Sequence, residues 1–349
     1  MNNSKKITIS LDCAGGDNCP SAMVGGMVEF LKHNKEGNID FLLFGDSEAI
    51  NKELKKYKKI NSKYYQIIHT DKKISSEDKP SSALRKGKGS SMWLAIESVK
   101  QKVSNACISA GNTGALMVLS KFILRPLEGI DRPALIQLMP AKNNSSVALL
   151  DMGANIDCSS ENLYQFALMG SVFYTSIIGK ENPRIGLLNV GSEDLKGNEV
   201  VKNAAVELKN SVLSKDFYGF VEGNDIFRNI VDVVVTDGFT GNVTLKTIEG
   251  TVKFVASSIK DIIKYSILSF IGLLFLILPL KKFRKKINPE SYNGALFVGL
   301  NGISVKAHGN SNKKSFCNAI TNTVKLINGD INNKIINLLS EIDNENTGE

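Results

Sequence analysis

The chain has 349 residues, of which 42% are hydrophobic and 22% are charged, and it contains 29 glycines but only 8 prolines. These proportions exclude a collagen-like, a mostly disordered or a multi-span membrane protein, and the length suits two domains or one large α/β unit. The formal net charge of +8 indicates an anionic partner, and phosphate, an acidic protein, anionic lipid and nucleic acid all fit it.

The number and spacing of the cysteines indicate the redox state of the cellular compartment. The five cysteines form no Cys-x-x-Cys pair, and none has a histidine at metal-ligand spacing. This pattern argues against a disulfide framework and a structural zinc site, and it favours a reducing cytosol. The polar N-terminus leads directly into a strand pattern, so we expect no signal peptide. The cysteines are Cys13, Cys19, Cys107, Cys158 and Cys317.

Short apolar runs alternate with longer segments of helical periodicity. In chain order they predict a strand at 7–11, a helix at 22–31, a strand at 41–44, a helix at 49–57, a strand at 65–68, a helix at 90–102, a strand at 106–109, a helix at 113–122, strands at 134–138 and 147–150, a helix at 161–178, a strand at 184–188, a helix at 199–209, strands at 217–221 and 231–236, and a helix at 243–264. Strands at 295–300 and 303–307 and two further helices follow. This alternation predicts an α/β fold with a largely parallel sheet.

Five predicted strand ends are rich in Gly, Asn, Asp and Ser, at residues 12–17, 109–115, 151–155, 189–199 and 237–242. Ligands of parallel α/β sheets bind at such ends, where glycine permits close backbone approach and helix N–H groups favour anions. Because neither the P-loop nor the dinucleotide-binding glycine pattern occurs, a nucleoside triphosphatase and an ordinary Rossmann dehydrogenase are disfavoured. We expect one anion site at equivalent strand ends.

The loops carry ordered motifs between residues 11 and 309. They are Leu11-Asp12-x-x-Gly15-Gly16-Asp17, Ala83-Leu84-Arg85-Lys86 with Ser90-Ser91-Met92, Ser109-Ala110-Gly111-Asn112-Thr113-Gly114-Ala115, Gly129-Ile130-Asp131-Arg132-Pro133-Ala134, Asp151-x-Gly153-Ala154-Asn155, Lys196-Gly197-Asn198-Glu199, Thr236-Asp237-Gly238-Phe239-Thr240-Gly241-Asn242 and Val305-Lys306-x-His308-Gly309. With them the chain resembles the bacterial phosphate acyltransferases of phospholipid synthesis, the PlsX family. Cys13-Ala14 stands where that family usually has Ala-Met.

The resemblance implies transfer of an acyl group from an acyl carrier protein thioester to inorganic phosphate. It implies a fold akin to phosphotransacetylases and isocitrate dehydrogenase, as one unit at 1–343 with two packed subdomains around a cleft and a tail at 344–349. It also implies a homodimer that needs no metal or organic cofactor.

Phosphate is already an anionic nucleophile, so the reaction needs positioning and oxyanion stabilisation rather than a catalytic triad. No Gly-x-Ser-x-Gly elbow occurs, which agrees with direct attack without an acyl-enzyme. The predicted catalytic residues are Lys196 for phosphate or oxyanion charge, Asp237 and Asn242 to orient the nucleophile or Lys196, and His308 to protonate the thiolate. The predicted phosphate- or substrate-binding residues are Asp12, Gly15, Gly16, Asp17, Gly111, Asn112, Thr113, Gly114, Asn155, Gly197 and Asn198.

Several of these residues also have structural interpretations. Asp12 and Asp17 could hold loop backbone, and Asp237 could cap the following helix. Arg132 is predicted to contact the acidic carrier protein, or else a neighbouring loop carbonyl. His308 could be a structural histidine.

A membrane contact is predicted at 265–286. Residues 265–280 carry no charge but are fewer than the roughly 20 needed for a helix to span a bilayer, and Pro279 should break the helix. Five basic residues follow within 281–286, as an anionic membrane surface would attract. The alternative is a core helix or one covered by the dimer partner. We therefore expect a cytoplasmic enzyme associated peripherally with the inner face of the membrane.

The expected partners are acyl carrier protein, inorganic phosphate, a second copy of the chain, the membrane surface and a membrane-embedded glycerol-phosphate acyltransferase. Nucleic acid is disfavoured, because no recognised reading module occurs. Two other functions stay open: a short-chain phosphotransacetylase acting on acyl-CoA, and a non-catalytic, membrane-tethered regulator that binds phosphate.

Overall fold

A computed structural model describes residues 6–34, 38–57, 60–264, 276 and 293–347. Its strands are β1 Ile7–Asp12, β2 Ile39–Gly45, β3 Tyr65–His69, β4 Ala106–Ser109, β5 Ala134–Pro140, β6 Ser146–Leu150, β7 Ile185–Leu188, β8 Phe217–Val221, β9 Val233–Val235, β10 Ala295–Val298 and β11 Ile303–Lys306. Its helices are α1 Ser21–His33, α2 Ser47–Leu54, α3 Pro80–Lys86, α4 Ser91–Lys100, α5 Thr113–Leu124, α6 Ser160–Ile178, α7 Glu199–Lys209, α8 Gly238–Lys264, α9 Lys313–Asn328 and α10 Ile331–Thr347.

The strands form one mixed sheet in the order β3-β2-β1-β4-β11-β10-β5-β6-β9-β7-β8. Strands β3, β2, β1, β4 and β11 are parallel to one another, and so are β6, β9, β7 and β8. Between the two groups, β10 is antiparallel to β11 and β5, and β5 is antiparallel to β6. The two parallel groups therefore run in opposite directions.

This reversal separates the glycine-rich loops. The carboxyl ends of β1, β4 and β11 lie at one end of the sheet, here called the first end, and those of β6, β7 and β9 lie at the opposite, second end. The expectation that all five loops meet at equivalent strand ends is therefore wrong. The α/β class is as predicted, and the sheet is parallel except around β5 and β10.

The core lies on both faces of the sheet, which is why the central strands are continuous apolar runs. The three residues of β9 are fully buried, and one cluster packs α1, α6 and α9 on one face while another packs α4 and α5 on the other. These layers hold the strand ends, and hence the loops, in fixed positions.

The predicted membrane contact at 265–286 lies outside the described residues, apart from Leu276, which is exposed. Among the helices of the described ranges, none is long and apolar enough to cross a membrane. Helix α10 continues to residue 347, into the predicted tail at 344–349.

Candidate active site

Asp12 ends β1 at the first end of the sheet and is fully buried. Its carboxylate accepts hydrogen bonds of 2.6 Å from both Ser91 Oγ and Ser109 Oγ, and one of 3.3 Å from Ala14 N. Burial raises the pKa of Asp12, and the hydrogen bonds from the two serines oppose that shift. Ser109 Oγ in turn accepts from Gly111 N at 3.0 Å. Asp12 therefore holds the loops after β1 and β4 together, as the structural interpretation proposed.

The loop after β1 packs closely on its neighbours. A side chain at Gly15 would collide with the Asp12 carboxylate, and Gly16 has φ +101, a conformation that favours glycine. Asp17 N donates to Gly309 O at 2.9 Å. These contacts join the ends of β1, β4 and β11.

Asn112 caps α5. Its Oδ1 accepts from Ala115 N at 3.0 Å, and its Nδ2 donates to the carbonyl oxygens of Ser76 and Asp78 at 2.9 and 3.0 Å. The side chain is thus used within the fold rather than presented to a ligand. The first turn of α5 still offers backbone N–H groups, which have no partners within the helix.

A cavity of about 790 Å³ lies between β5, β10 and helix α8, and we call it the sheet-face cavity. Asn242 packs against Gly153 at the second end, while Glu249, two helical turns later and about 10 Å away, contacts His308 at the first end. The apolar lining residues include Leu135, Leu138, Met139, Met152, Phe227, Leu245, Ile248 and Val252. The polar lining at the first end includes Thr113, Gly114, Lys246, Lys306, His308 and Gly309.

Lys306, at the end of β11, is a functional candidate that sequence reasoning missed. Its Nζ donates to Ala110 O at 3.4 Å and to the carbonyl oxygen of Ala307, and it forms no ion pair with any residue of the described ranges. Burial lowers the pKa of Lys306 to about 8; Lys246 adds to the shift, whereas Asp12 and Asp17 oppose it. The sequence did contain a signal for this residue, because Lys306 ends a buried strand and belongs to the motif Val305-Lys306-x-His308-Gly309.

His308 joins the loop after β11 to α8. Its Nε2 lies 3.3 Å from Glu249 Oε1, and Lys246 Nζ lies 3.0 Å from Glu249 Oε2. Burial alone would raise the pKa of Glu249, but Lys246 and His308 lower it overall. The backbone N–H of His308 donates to Asn293 Oδ1 at 2.8 Å. Lys246 and His308 thus share one carboxylate.

At the second end, buried Asp151 organises the loop after β6. It accepts from the backbone N–H groups of Leu135, Gly153 and Asn155 at 2.9, 3.1 and 2.7 Å. The Asn155 side chain donates to Asp151 and to Pro133 O at 2.9 and 2.8 Å. Asn155 therefore stabilises the loop.

Asp237 accepts from both Thr240 N and Thr240 Oγ1, at 2.8 and 2.7 Å, in the first turn of α8. Arg132 donates to Asp157 O at 3.0 Å and lies 3.4 Å from Asp131. Both arrangements match the structural alternatives, a helix cap and a loop-carbonyl contact.

Lys196, Gly197 and Asn198 lie in the exposed loop after β7, outside the cavity lining. Lys196 Nζ pairs with Glu193 Oε1 at 2.9 Å, and Asn198 Oδ1 accepts from Val201 N at 2.9 Å to cap α7. Of the predicted site residues, the cavity brings together Thr113, Gly114, Asn242 and His308.

Within the described parts of the chain, one trio of side chains is close enough to share a metal ion: Asp46, His69 and Asp71. All three are exposed and lie outside the cavity lining, and His69 Nδ1 already accepts from Ser47 N at 3.2 Å.

Comparisons with known proteins agree on the family. The model of the family described as "Fatty acid synthesis protein" matches residues 7–334. The chain is 47% identical over 332 residues to a phosphate acyltransferase of Paramagnetospirillum magneticum, covering 95% of this chain and 93% of the relative. A phosphate acyltransferase of Caulobacter vibrioides is 44% identical over 332 residues, with 95% and 91% covered.

Among solved structures, a phosphotransacetylase from Streptococcus pyogenes has a TM-score of 0.60 at 16% identity, covering 93% of this chain and 94% of the other. The EutD phosphotransacetylase from Staphylococcus aureus has a TM-score of 0.56 at 12% identity, with 92% and 94% covered. This likeness confirms the predicted phosphotransacetylase-like fold.

Proposed function

Because the chain belongs to the fatty acid synthesis protein family and is an acyltransferase, we propose that it transfers a fatty acyl group from an acyl carrier protein thioester to inorganic phosphate. The product is an acyl phosphate for phospholipid synthesis. The observation that carries the proposal is the sheet-face cavity, which joins a cationic end to an apolar body.

Phosphate binds at the first end of this cavity. The first turn of α5 supplies backbone N–H groups at Thr113 and Gly114, and a helix N-terminus favours an anion. Lys306 adds a positive charge beside it, and Lys246 adds a second that its partner Glu249 partly offsets. The same groups stabilise the oxyanion that develops when phosphate attacks the thioester carbon directly.

The acyl chain occupies the apolar body. A volume of about 790 Å³ lies within the range of roughly 300–1,000 Å³ that is usual for ligand pockets, and its walls there are leucine, isoleucine, valine, methionine and phenylalanine. An acetyl group would leave most of this surface uncovered, so the cavity favours a long-chain substrate over the short-chain phosphotransacetylase alternative.

The carrier protein docks on a basic face beside α3. Asn112 binds the carbonyl oxygens of Ser76 and Asp78, which fixes this segment against the start of α5 and hence beside the first end of the cavity. Residues 72–88 carry six exposed basic side chains, and none of the six forms an ion pair with a described residue. They are Lys72, Lys73, Lys79, Arg85, Lys86 and Lys88. This face suits an acidic protein better than Arg132 at the second end does.

Peripheral membrane association, a homodimer and delivery of the product to a membrane-embedded glycerol-phosphate acyltransferase complete the proposal. The exposed Phe254 and Val255 of α8, the helix that leads toward 265–286, support an apolar contact there. Such a contact would deliver a labile acyl phosphate at the inner face of the membrane.

Thiol release from a long-chain acyl carrier protein and from short-chain and long-chain acyl-CoA, each with and without phosphate, tests the function. We expect phosphate-dependent release that is fastest with the carrier protein. Preference for acetyl-CoA would instead establish a short-chain phosphotransacetylase, and no release from any thioester would leave a phosphate-binding regulator.

A further inference from the structure

We propose that Lys306 is the general acid that protonates the departing thiolate, an inference that rests on the proposed function. The sequence alone points to His308 for this step. The geometry points to Lys306 instead, because no carboxylate among the described residues engages it. Lys246, in contrast, is paired with Glu249, and the third lysine of the lining, Lys142, is exposed and lies outside the joined loops after β4 and β11.

The hydrogen bonds of Lys306 leave it a proton to give. An ammonium has three donors, and the contacts of Lys306 with the described residues occupy two, on Ala110 O and Ala307 O. Both acceptors are backbone carbonyls of loops that hydrogen bonds fix to one another. The nitrogen is thus held beside the loop that leads into α5, where the phosphate binds.

The charges around Lys306 keep it cationic but acidic. Asp12 at the end of β1, Asp17 of the loop after β1 and Lys246 of α8 are the charged groups that act on it. On its own loop, His308 is engaged by Glu249, which also holds Lys246. With a pKa of about 8, Lys306 is close to a thiol of ordinary pKa, about 8.5, which is the matching that efficient proton transfer requires.

The step balances without another reactant. An oxygen of hydrogenphosphate forms a bond to the thioester carbon, the C–S bond breaks, and its electron pair goes to sulfur. The sulfur takes a proton from Lys306 Nζ. The neutral amine then takes the remaining proton of the phosphate group, which restores the ammonium and leaves an acyl phosphate dianion and a free thiol.

Leaving-group dependence tests this role. Lys306→Met and Lys306→Arg should each slow transfer from an alkyl thioester by about 100-fold or more, because an arginine keeps the charge but does not release a proton near pH 8. With an aryl thioester, whose thiolate needs no proton, the loss should shrink to about fivefold or less. Lys246→Met should raise the KM for phosphate with the same loss for both thioesters, and exposed Lys52→Met should match the wild type.

The pH profile gives a second readout that survives if Lys306→Met does not fold. Wild-type kcat for the alkyl thioester should fall as pH rises through about 8, because the acid form of Lys306 is lost, and Lys306→Arg should lack this limb. Wild-type rates in Lys306→Arg would show that only the charge matters, and equal losses for both thioesters would show mere positioning. Either result overturns the inference. The proposed function fails separately, if the wild type makes no acyl phosphate.

Discussion

Asp12 accepts a 2.6 Å hydrogen bond from Ser109 Oγ, and this contact ties the end of β1 to the end of β4 beneath the candidate phosphate site. Both residues are buried, and Ser91 of α4 donates to the same carboxylate. Ser109 Oγ also accepts a hydrogen bond from the backbone N–H of Gly111, so this one buried carboxylate sets the path of the loop that leads into α5.

Asp12→Ala should therefore lower the free energy of unfolding by about 2–4 kcal/mol, because it leaves two buried hydroxyl donors without their acceptor. Asp12→Asn keeps an acceptor and should cost less. Urea denaturation measures both, with exposed Asp71→Ala as the control. A loss below about 1 kcal/mol for Asp12→Ala would show that the loops do not depend on this carboxylate.

Short apolar runs predicted nearly every strand, because the central strands are buried on both faces, and helical periodicity predicted nearly every helix. Helix α3 was missed because it is short and buries only Ala83, so it has no apolar face to detect. The reversal between β11 and β6 was also missed. It arises at β5 and β6, which pair antiparallel across the short connection 141–145, because β10 is antiparallel to both of its neighbours and so leaves β5 running in the direction of β11. The insertion of β10 and β11 between β4 and β5 was missed as well, because it is a long-range pairing that no local pattern encodes.

The candidate site was predictable only in part, because sequence patterns identify loops but not which side chains the fold brings together. Thr113, Gly114, Asn242 and His308 were identified from their loops and do line the cavity. Lys306 is the last residue of β11 and Lys196 lies in the loop after β7, and the two look alike in sequence. Lys306 is partly buried and donates to backbone carbonyls, whereas Lys196 is exposed beside Glu193, a difference of tertiary packing alone.

Lys196→Ala should leave the melting temperature unchanged, because the side chain is exposed and paired only with Glu193 among the described residues. The role predicted for Lys196 further requires turnover to fall by at least about tenfold. Steady-state assays beside a thermal melt measure both quantities. Wild-type turnover in the folded variant would remove Lys196 from the reaction.

Ile248→Trp should shorten the preferred acyl chain, because the larger ring would fill part of the apolar body of the cavity. We expect kcat/KM to fall about tenfold or more for a long-chain acyl carrier protein, with little change for a short-chain thioester. Exposed Ile156→Trp is the control. Equal losses at all chain lengths would place the acyl chain elsewhere.

Reversing two charges on the basic face, with Arg85→Glu and Lys86→Glu together, should raise the KM for acyl carrier protein by about tenfold at low salt. The KM for acyl-CoA should hardly change, and the effect should shrink as salt increases. As the control, Lys52→Glu with Lys55→Glu places the same charge change on exposed residues in the last turn of α2 and directly after it. The docking surface is elsewhere if both double variants behave alike.

Leu274→Glu with Leu276→Glu should release the protein from anionic vesicles while acyl transfer to phosphate in solution continues. Flotation of the protein with vesicles, alongside the solution assay, measures both effects. Unfolding of the double variant, or loss of a dimer, would show instead that the segment belongs to the core or the subunit interface.

The most direct test of the account is phosphorus NMR of the wild-type protein with a long-chain acyl carrier protein and inorganic phosphate. We predict a new acyl phosphate resonance that grows in step with free carrier-protein thiol. Thiol release with free fatty acid and an unchanged phosphate resonance, or no reaction at all, would contradict the proposal that the sheet-face cavity joins phosphate to an acyl chain.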